Sequence, residues 1–125
     1  MTTLIIIARP DVWAAAQKSG FYSQSTVAST LEEVGFIHSS FPDQTLEIAN
    51  RRFKDEDNLI LLLVDTKKVE APIKYEGALS GRAGTFPHIY GPLNVDAVYD
   101  VVSLSKNEQG EFIAPERFMQ LSKEN

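Results

Sequence analysis

Two short segments of this chain gather side chains that can do chemistry. In GFIHSS, residues 35–40, His38 is followed at once by the hydroxyls of Ser39 and Ser40, and in FPHIYGPL, residues 86–93, the only other histidine, His88, lies between Phe86 and Tyr90. If His38 ends a strand and the serines open a helix, the free amides of that first turn and the two hydroxyls can hold an anion or a phosphate oxygen. The same residues also fit a plainer arrangement, a half-buried imidazole bonded to a backbone carbonyl with serines that only cap. In the second segment Phe86 and Tyr90 offer aromatic faces while Pro87, Gly91 and Pro92 stiffen the backbone between them. That describes a stacking pocket for a planar ring, and equally a loop pinned to the core. Glu76 closes a strand-like run just before a glycine-containing stretch, residues 78–85, that reads as a mobile loop. A carboxylate there can bond ribose hydroxyls or stabilise a developing cation, or simply end an exposed strand.

Other chemistries lack their residues. There is no cysteine, hence no thiolate nucleophile, disulfide framework or cysteine metal site, and two histidines without i, i+4 helical spacing give no basis for a metal centre. No G-x-S-x-G elbow occurs, and Gly77, Gly81 and Gly84 have neither the spacing nor the terminal Lys-Ser/Thr of a phosphate loop. The acidic runs Glu32-Glu33 and Asp55-Glu56-Asp57 read as solvated surface. A formal charge of −5 argues against binding long nucleic acid, although Arg51, Arg52 and Lys54 cluster and Arg9 and Arg82 can join them in space. The longest apolar runs, residues 4–8 and 59–64, fall far short of the roughly 20 residues that span a bilayer. No basic-then-apolar leader precedes them, so a cytoplasmic protein that spans no membrane is expected.

The 125 residues are expected to form a single domain, 1–125, with no repeat or linker. Residues 4–8 read as a buried strand ended by Arg9-Pro10, and Pro10-Asp11 open a helix to about Ser19 that Gly20 stops, with Val12, Trp13 and Ala16 inward. Residues 21–30, rich in Ser and Thr, read as loop, with a short turn at 31–34. Phe36 to His38 follows as a short strand, then a helix capped by Ser39 or Ser40 with Pro42 in its first turn and Leu46, Ala49 and Phe53 on one face. Residues 59–64 are the best candidate for a central strand covered on both sides. Strands at 73–76 and 97–104, a turn at 107–110, a return at 111–113 and a helix at 115–121 complete the reading. Strands and helices do not alternate regularly, which indicates an α+β fold.

Taken together, Trp13 with Ala15-Ala16, Gly20-Phe21-Tyr22, GFIHSS, Gln44, Ala49 to Phe53, LILLLVD, Tyr75-Glu76, FPHIYGPL and Asp96-Ala97-Val98 resemble the small bacterial domain of unknown function family 952 over nearly the whole chain. That family is grouped by fold with the ADP-ribosyltransferases, near the RNA 2′-phosphotransferases. The resemblance implies a bent, split β-sheet core with flanking helices, ADP-ribosyltransferase-like, and a cleft able to accept NAD. It implies that His38, Glu76 and His88 are the catalytic candidates. Ser39, Ser40 and Arg52 would meet phosphate, with Phe86, His88 and Tyr90 on the wall opposite His38. One departure is that Ile5 and Ile6 stand where the family often carries a first-strand Tyr-His pair, which favours binding without chemistry.

Three functions follow: an NAD-dependent transferase or glycohydrolase, a non-catalytic binder of a nucleotide or small phosphorylated metabolite, and a protein-interaction domain. The first two rest on the two histidine segments facing each other across one shared hollow, and would fail if the rings lay on unrelated surfaces with only packed hydrocarbon between them.

Overall fold

A computed structural model describes residues 2–77 and 84–124. The most apolar segment does what its composition demands. Strand β4 (Ile60–Asp65) lies between β1 (Thr3–Ala8) and β8 (Val98–Ser103) in an antiparallel sheet, and both of its faces are covered. Ile60, Leu62 and Val64 pack with Leu4, Ile6, Trp13 and Ala16, whereas Leu61 and Leu63 pack with Ile5, Ala49, Val102 and Phe118. Two-sided burial is why β1 and β4 read as continuous apolar runs rather than alternating ones.

Helix α1 (Pro10–Ser19) covers the first face with Trp13 and Ala16 and ends at Gly20, whose φ of 94° suits a residue without a Cβ. After it come the short strand β2 (Phe21–Tyr22), the single-turn helix α2 (Leu31–Val34) and the strand β3 (Ile37–His38). Helix α3 (Pro42–Arg52) buries Thr45 and Ala49 against the other face. Its N-cap is Phe41, not Ser39 or Ser40: the Phe41 N–H donates to Gln44 Oε1 at 2.9 Å. The start is displaced because Ser40 is held in extended backbone, exchanging N–H···O bonds of 2.8 and 2.9 Å with Ile5. That bridge joins β1 to the corner after β3 and ties the central sheet to a second one.

The second sheet has the order β3-β6-β5, with β5 (Ile73–Gly77) and β6 (Thr85–Ile89) antiparallel. The FPHIYGPL segment is therefore mainly a central strand, not the stiffened loop that its prolines suggest. Pro87 is tolerated because it lies opposite Ser39, where the chain leaves β3: Ser39 N–H and Oγ–H both donate to the Pro87 carbonyl, and only one ladder bond is missing. Ile37 and Ile89 pair directly and are fully buried in the first core, so one face of this sheet is hydrocarbon. The chain continues through β7 (Leu93–Asn94), which pairs with β2, and a hairpin of β9 (Ser105–Lys106) with β10 (Phe112–Ile113). It closes with α4 (Glu116–Glu124), which extends past the expected end at Leu121.

The fold is α+β, with its β structure split among several small sheets. The expected loop at 78–85 falls mostly outside the described residues, and Thr85 belongs to β6. Among the described residues no helix is long and apolar enough to cross a membrane.

Candidate functional site

The non-core face of the β3-β6-β5 sheet collects the chemistry. Side chains on a strand alternate, so the chain neighbours of the buried isoleucines point the other way, and antiparallel register decides which of them meet. His38 pairs directly with His88, Lys74 with His88, and Glu76 with Phe86. The two imidazole centroids are 5.6 Å apart in a T-shaped arrangement. Phe36 stacks on His88 at 4.0 Å and lies tilted against His38 at 4.8 Å and Tyr90 at 5.3 Å. The histidine segments thus come together as neighbours on one face, not as opposing walls of a hollow.

Glu76 is the charged centre of this face. Its Oε1 accepts from Tyr90 Oη at 2.6 Å and from His88 Nδ1 at 2.9 Å. The Tyr90 hydroxyl first, and then the His88 ring, hold the Glu76 carboxyl below the usual carboxylate range, and the same bond raises the Tyr90 phenol. Glu76 is therefore anionic at neutral pH and His88 gives it the Nδ1 hydrogen. His88 is almost wholly buried while the Glu76 side chain stays 40% exposed, so the carboxylate reaches solvent from an anchored base. Lys74 places its Nζ over the Tyr90 ring, 4.7 Å from the centroid, on the same side.

His38 differs from its neighbour. Its Nδ1 lies 2.9 Å from Ser25 Oγ, and burial, then the nearby His88, lower its pKa from the ordinary value of 6.5, with Arg52 adding to the effect and Ser25 opposing it. A histidine with a depressed folded pKa binds fewer protons folded than unfolded between that pKa and 6.5, so it favours the folded state fully only above 6.5. The protein is therefore expected to lose stability as pH falls below 6.5. Urea unfolding at pH 7.5 and 5.5 checks this, with a smaller pH difference for His38→Gln than for the natural chain. Identical pH differences in the two proteins would mean that His38 is not the group responsible.

The serines expected to meet phosphate are committed to the fold. Ser39 Oγ donates to the Pro87 carbonyl at 2.7 Å and Ser40 Oγ bonds Thr45 Oγ1 at 2.8 Å, both buried, so the strand-to-helix corner does not offer its hydroxyls to a ligand. Arg52 lies exposed at the end of α3, its charge within electrostatic range of His38. Phe86 is buried and shares the face of His88 and Tyr90. The expected basic patch is largely neutralised: Arg9 forms a two-pronged pair with Glu56, Arg51 bonds Glu47, and Lys54 bonds Glu111, while Arg82 lies outside the described residues. An open groove lined by Arg9, Pro10, Asp11, Glu56, Asp57 and Asn58 shares no residue with the imidazole cluster.

Phe36, Lys74 and Ser25 belong to the site and were not singled out by sequence reasoning. The first two follow from strand period, since Phe36 is two residues before His38 and Lys74 two before Glu76. Ser25 sits in a serine-rich stretch where nothing local distinguishes it.

A family model described as Protein of unknown function (DUF952) matches residues 7–101. Among solved structures, the crystal structure of protein CC0527 from Caulobacter crescentus aligns with a TM-score of 0.76 at 31% identity, covering 90% of this chain and 94% of that one. The solution NMR structure of the same protein gives a TM-score of 0.72 at 30% identity, over 96% and 97% of the two chains. The search of curated proteins returned no match.

Proposed function

Because the chain belongs to the DUF952 family of proteins of unknown function, we propose from its own residues that the imidazole face binds a small ribose-bearing nucleotide, NAD being the trial ligand. The observation that carries this reading is the anchored carboxylate: Glu76 is held anionic through Oε1 by Tyr90 and His88, and neither of those bonds falls on Oε2. An oriented, partly exposed carboxylate beside two imidazoles and a phenol suits a ribose diol, whose hydroxyls need acceptors. The aromatic rings of Phe36 and Tyr90 give the site stiffness.

The residues fit NAD unevenly. Ribose hydroxyls and the ring portion have Glu76, His38 and Tyr90 as partners, whereas the pyrophosphate has Lys74 and Arg52 as its cationic candidates, since Ser39 and Ser40 are turned inward. As a substrate, NAD would supply a glycosidic bond whose cleavage develops positive charge at the ribose. This chain's part is then electrostatic: Glu76, fixed in advance, opposes that charge without reorganising.

Binding without chemistry is favoured by one specific observation. Ile5 and Ile6 on β1 are buried in the two cores, so the first strand brings no polar side chain to the site. A thermal-shift series with NAD, nicotinamide, ADP-ribose and 2′-phosphorylated RNA ends is expected to show stabilisation that grows with NAD or ADP-ribose concentration, about 2.7 kcal/mol at a hundredfold excess over Kd. Release of nicotinamide on long incubation selects the transferase or glycohydrolase reading; a shift without release selects the binder. No shift with any of these ligands at millimolar concentration counts against both and leaves the protein-interaction reading.

A further inference from the structure

Ser25 is 2% exposed and meets His38 twice. Its carbonyl accepts the His38 backbone N–H at 3.0 Å, and its Oγ lies 2.9 Å from His38 Nδ1. The loop around it is closed on itself. Ser25 and Thr26 both donate their N–H to the Ser29 carbonyl, at 2.8 and 3.1 Å, and the Leu31 N–H reaches the Ser23 carbonyl at 2.9 Å. Gln24 Nε2 adds a bond to the Thr26 carbonyl at 3.2 Å, and the capping box of Thr30 with Glu33 fixes the far end. The product of this wiring is that one serine is presented to the edge of β3 that β6 leaves open.

Which ring nitrogen of His38 carries hydrogen follows from what each choice leaves unpaired. With hydrogen on Nδ1, the ring would donate to Ser25 Oγ or to the Ser25 carbonyl, and in either case the hydroxyl hydrogen would need another acceptor in a buried position. No such acceptor is bonded to it among the described residues, and a buried donor left without one loses its hydration for nothing. With the hydroxyl donating to Nδ1 both groups are satisfied, and neutral His38 carries its hydrogen on Nε2. The neutral form prevails at neutral pH because burial first, and then the neighbouring His88 and Arg52, disfavour a second positive charge on the ring. His88, which gives its Nδ1 hydrogen to Glu76, has the opposite tautomer when neutral.

We propose that Ser25 is a positioning residue that fixes His38 as the Nε2–H tautomer, so that His38 offers a donor and takes an oxygen acceptor of the ligand: a phosphate, carbonyl or hydroxyl oxygen. The ligand half of this statement rests on the ribose-nucleotide reading; the tautomer half does not. The two neighbouring imidazoles then differ in which ring nitrogen carries hydrogen, a distinction that two equivalent histidines would not have.

Long-range 1H–15N correlation spectra of the two imidazoles at pH 7.5 test it on the protein without ligand. The expected result is a His38 Nδ1 with the shift of an unprotonated nitrogen in the natural chain. In Ser25→Ala that signal is expected to move to an averaged position, as the single tautomer is lost while the Ser25 carbonyl keeps its backbone bond. Ser25→Thr, which retains the hydroxyl, is expected to restore it. A protonated Nδ1 in the natural chain overturns the proposal, and so does a Ser25→Ala spectrum unchanged at His38. Should the alanine variant not fold, the natural spectrum decides alone. Titration with ADP-ribose then separates the halves: the expected tautomer with no movement of the His38 ring on titration overturns the ligand half and the nucleotide reading with it, but not the role of Ser25.

Discussion

Phe36→Ala is expected to lower the stability of the protein by about 3 kcal/mol, within the range for deleting a buried aromatic ring. Phe36 is 6% exposed, and its ring packs on the functional face, against His88, His38 and Tyr90. The truncation thus opens a cavity beside a buried imidazole rather than in the hydrocarbon cores. For a domain whose total stability is of the order of 5–15 kcal/mol, that is a large fraction. Urea unfolding checks it, with the midpoint falling and the slope unchanged. Phe36→Leu, which refills most of the volume, is expected to recover more than half of the loss. A cost below about 1 kcal/mol for the alanine variant would mean that the ring does not pack on His88 as described.

Glu76→Gln separates chemistry from binding. The amide keeps the side-chain volume and one oxygen acceptor for Tyr90 and His88, but removes the charge. If the protein cleaves NAD, nicotinamide release is expected to fall about 10²- to 10³-fold, the size of effect seen when a preorganised electrostatic partner is removed. Affinity for ADP-ribose, which bears the hydroxyls but develops no cation, is expected to change less than tenfold, because the amide still accepts and only the difference between a charged and a neutral hydrogen bond, about 1 kcal/mol, is lost. Equal losses in both measurements would place Glu76 in binding alone.

Much of the scaffold is legible in the chain because its signals are local. Residues 60–64 are apolar without a break, and they occupy the covered centre of a sheet. Pro10 and Gly20 bracket α1 because one cannot donate within a helix and the other adopts a left-handed backbone. The α3 start is misread because a serine before a proline looks like a cap, and only the distant Ile5 reveals that Ser40 belongs to a strand bridge. Pro87 misleads for a related reason. Proline argues against a central strand unless the partner strand ends opposite it, which is a fact about Ser39, 48 residues earlier in the chain.

The site divides in the same way. His38, Glu76, His88 and Tyr90 can be picked out by residue type, and the fold brings all four to one face. Their adjacency depends on the register of β3 against β6, which no local pattern sets. Ser39 and Ser40 are hydroxyls of the right type at the right spacing, and the fold uses both internally. Residue type identifies what a side chain can do, whereas pairing decides whether it is free to do it.

The most direct test follows the two histidine rings by NMR while NAD or ADP-ribose is added. The chain has only two histidines, so the ring signals separate easily and report on the face from within. The account predicts that both rings shift together, along one saturable curve with a single Kd. Rings that stay fixed to millimolar ligand, or a thermal shift that arises while both stay fixed, would contradict it and place any nucleotide site elsewhere on the protein.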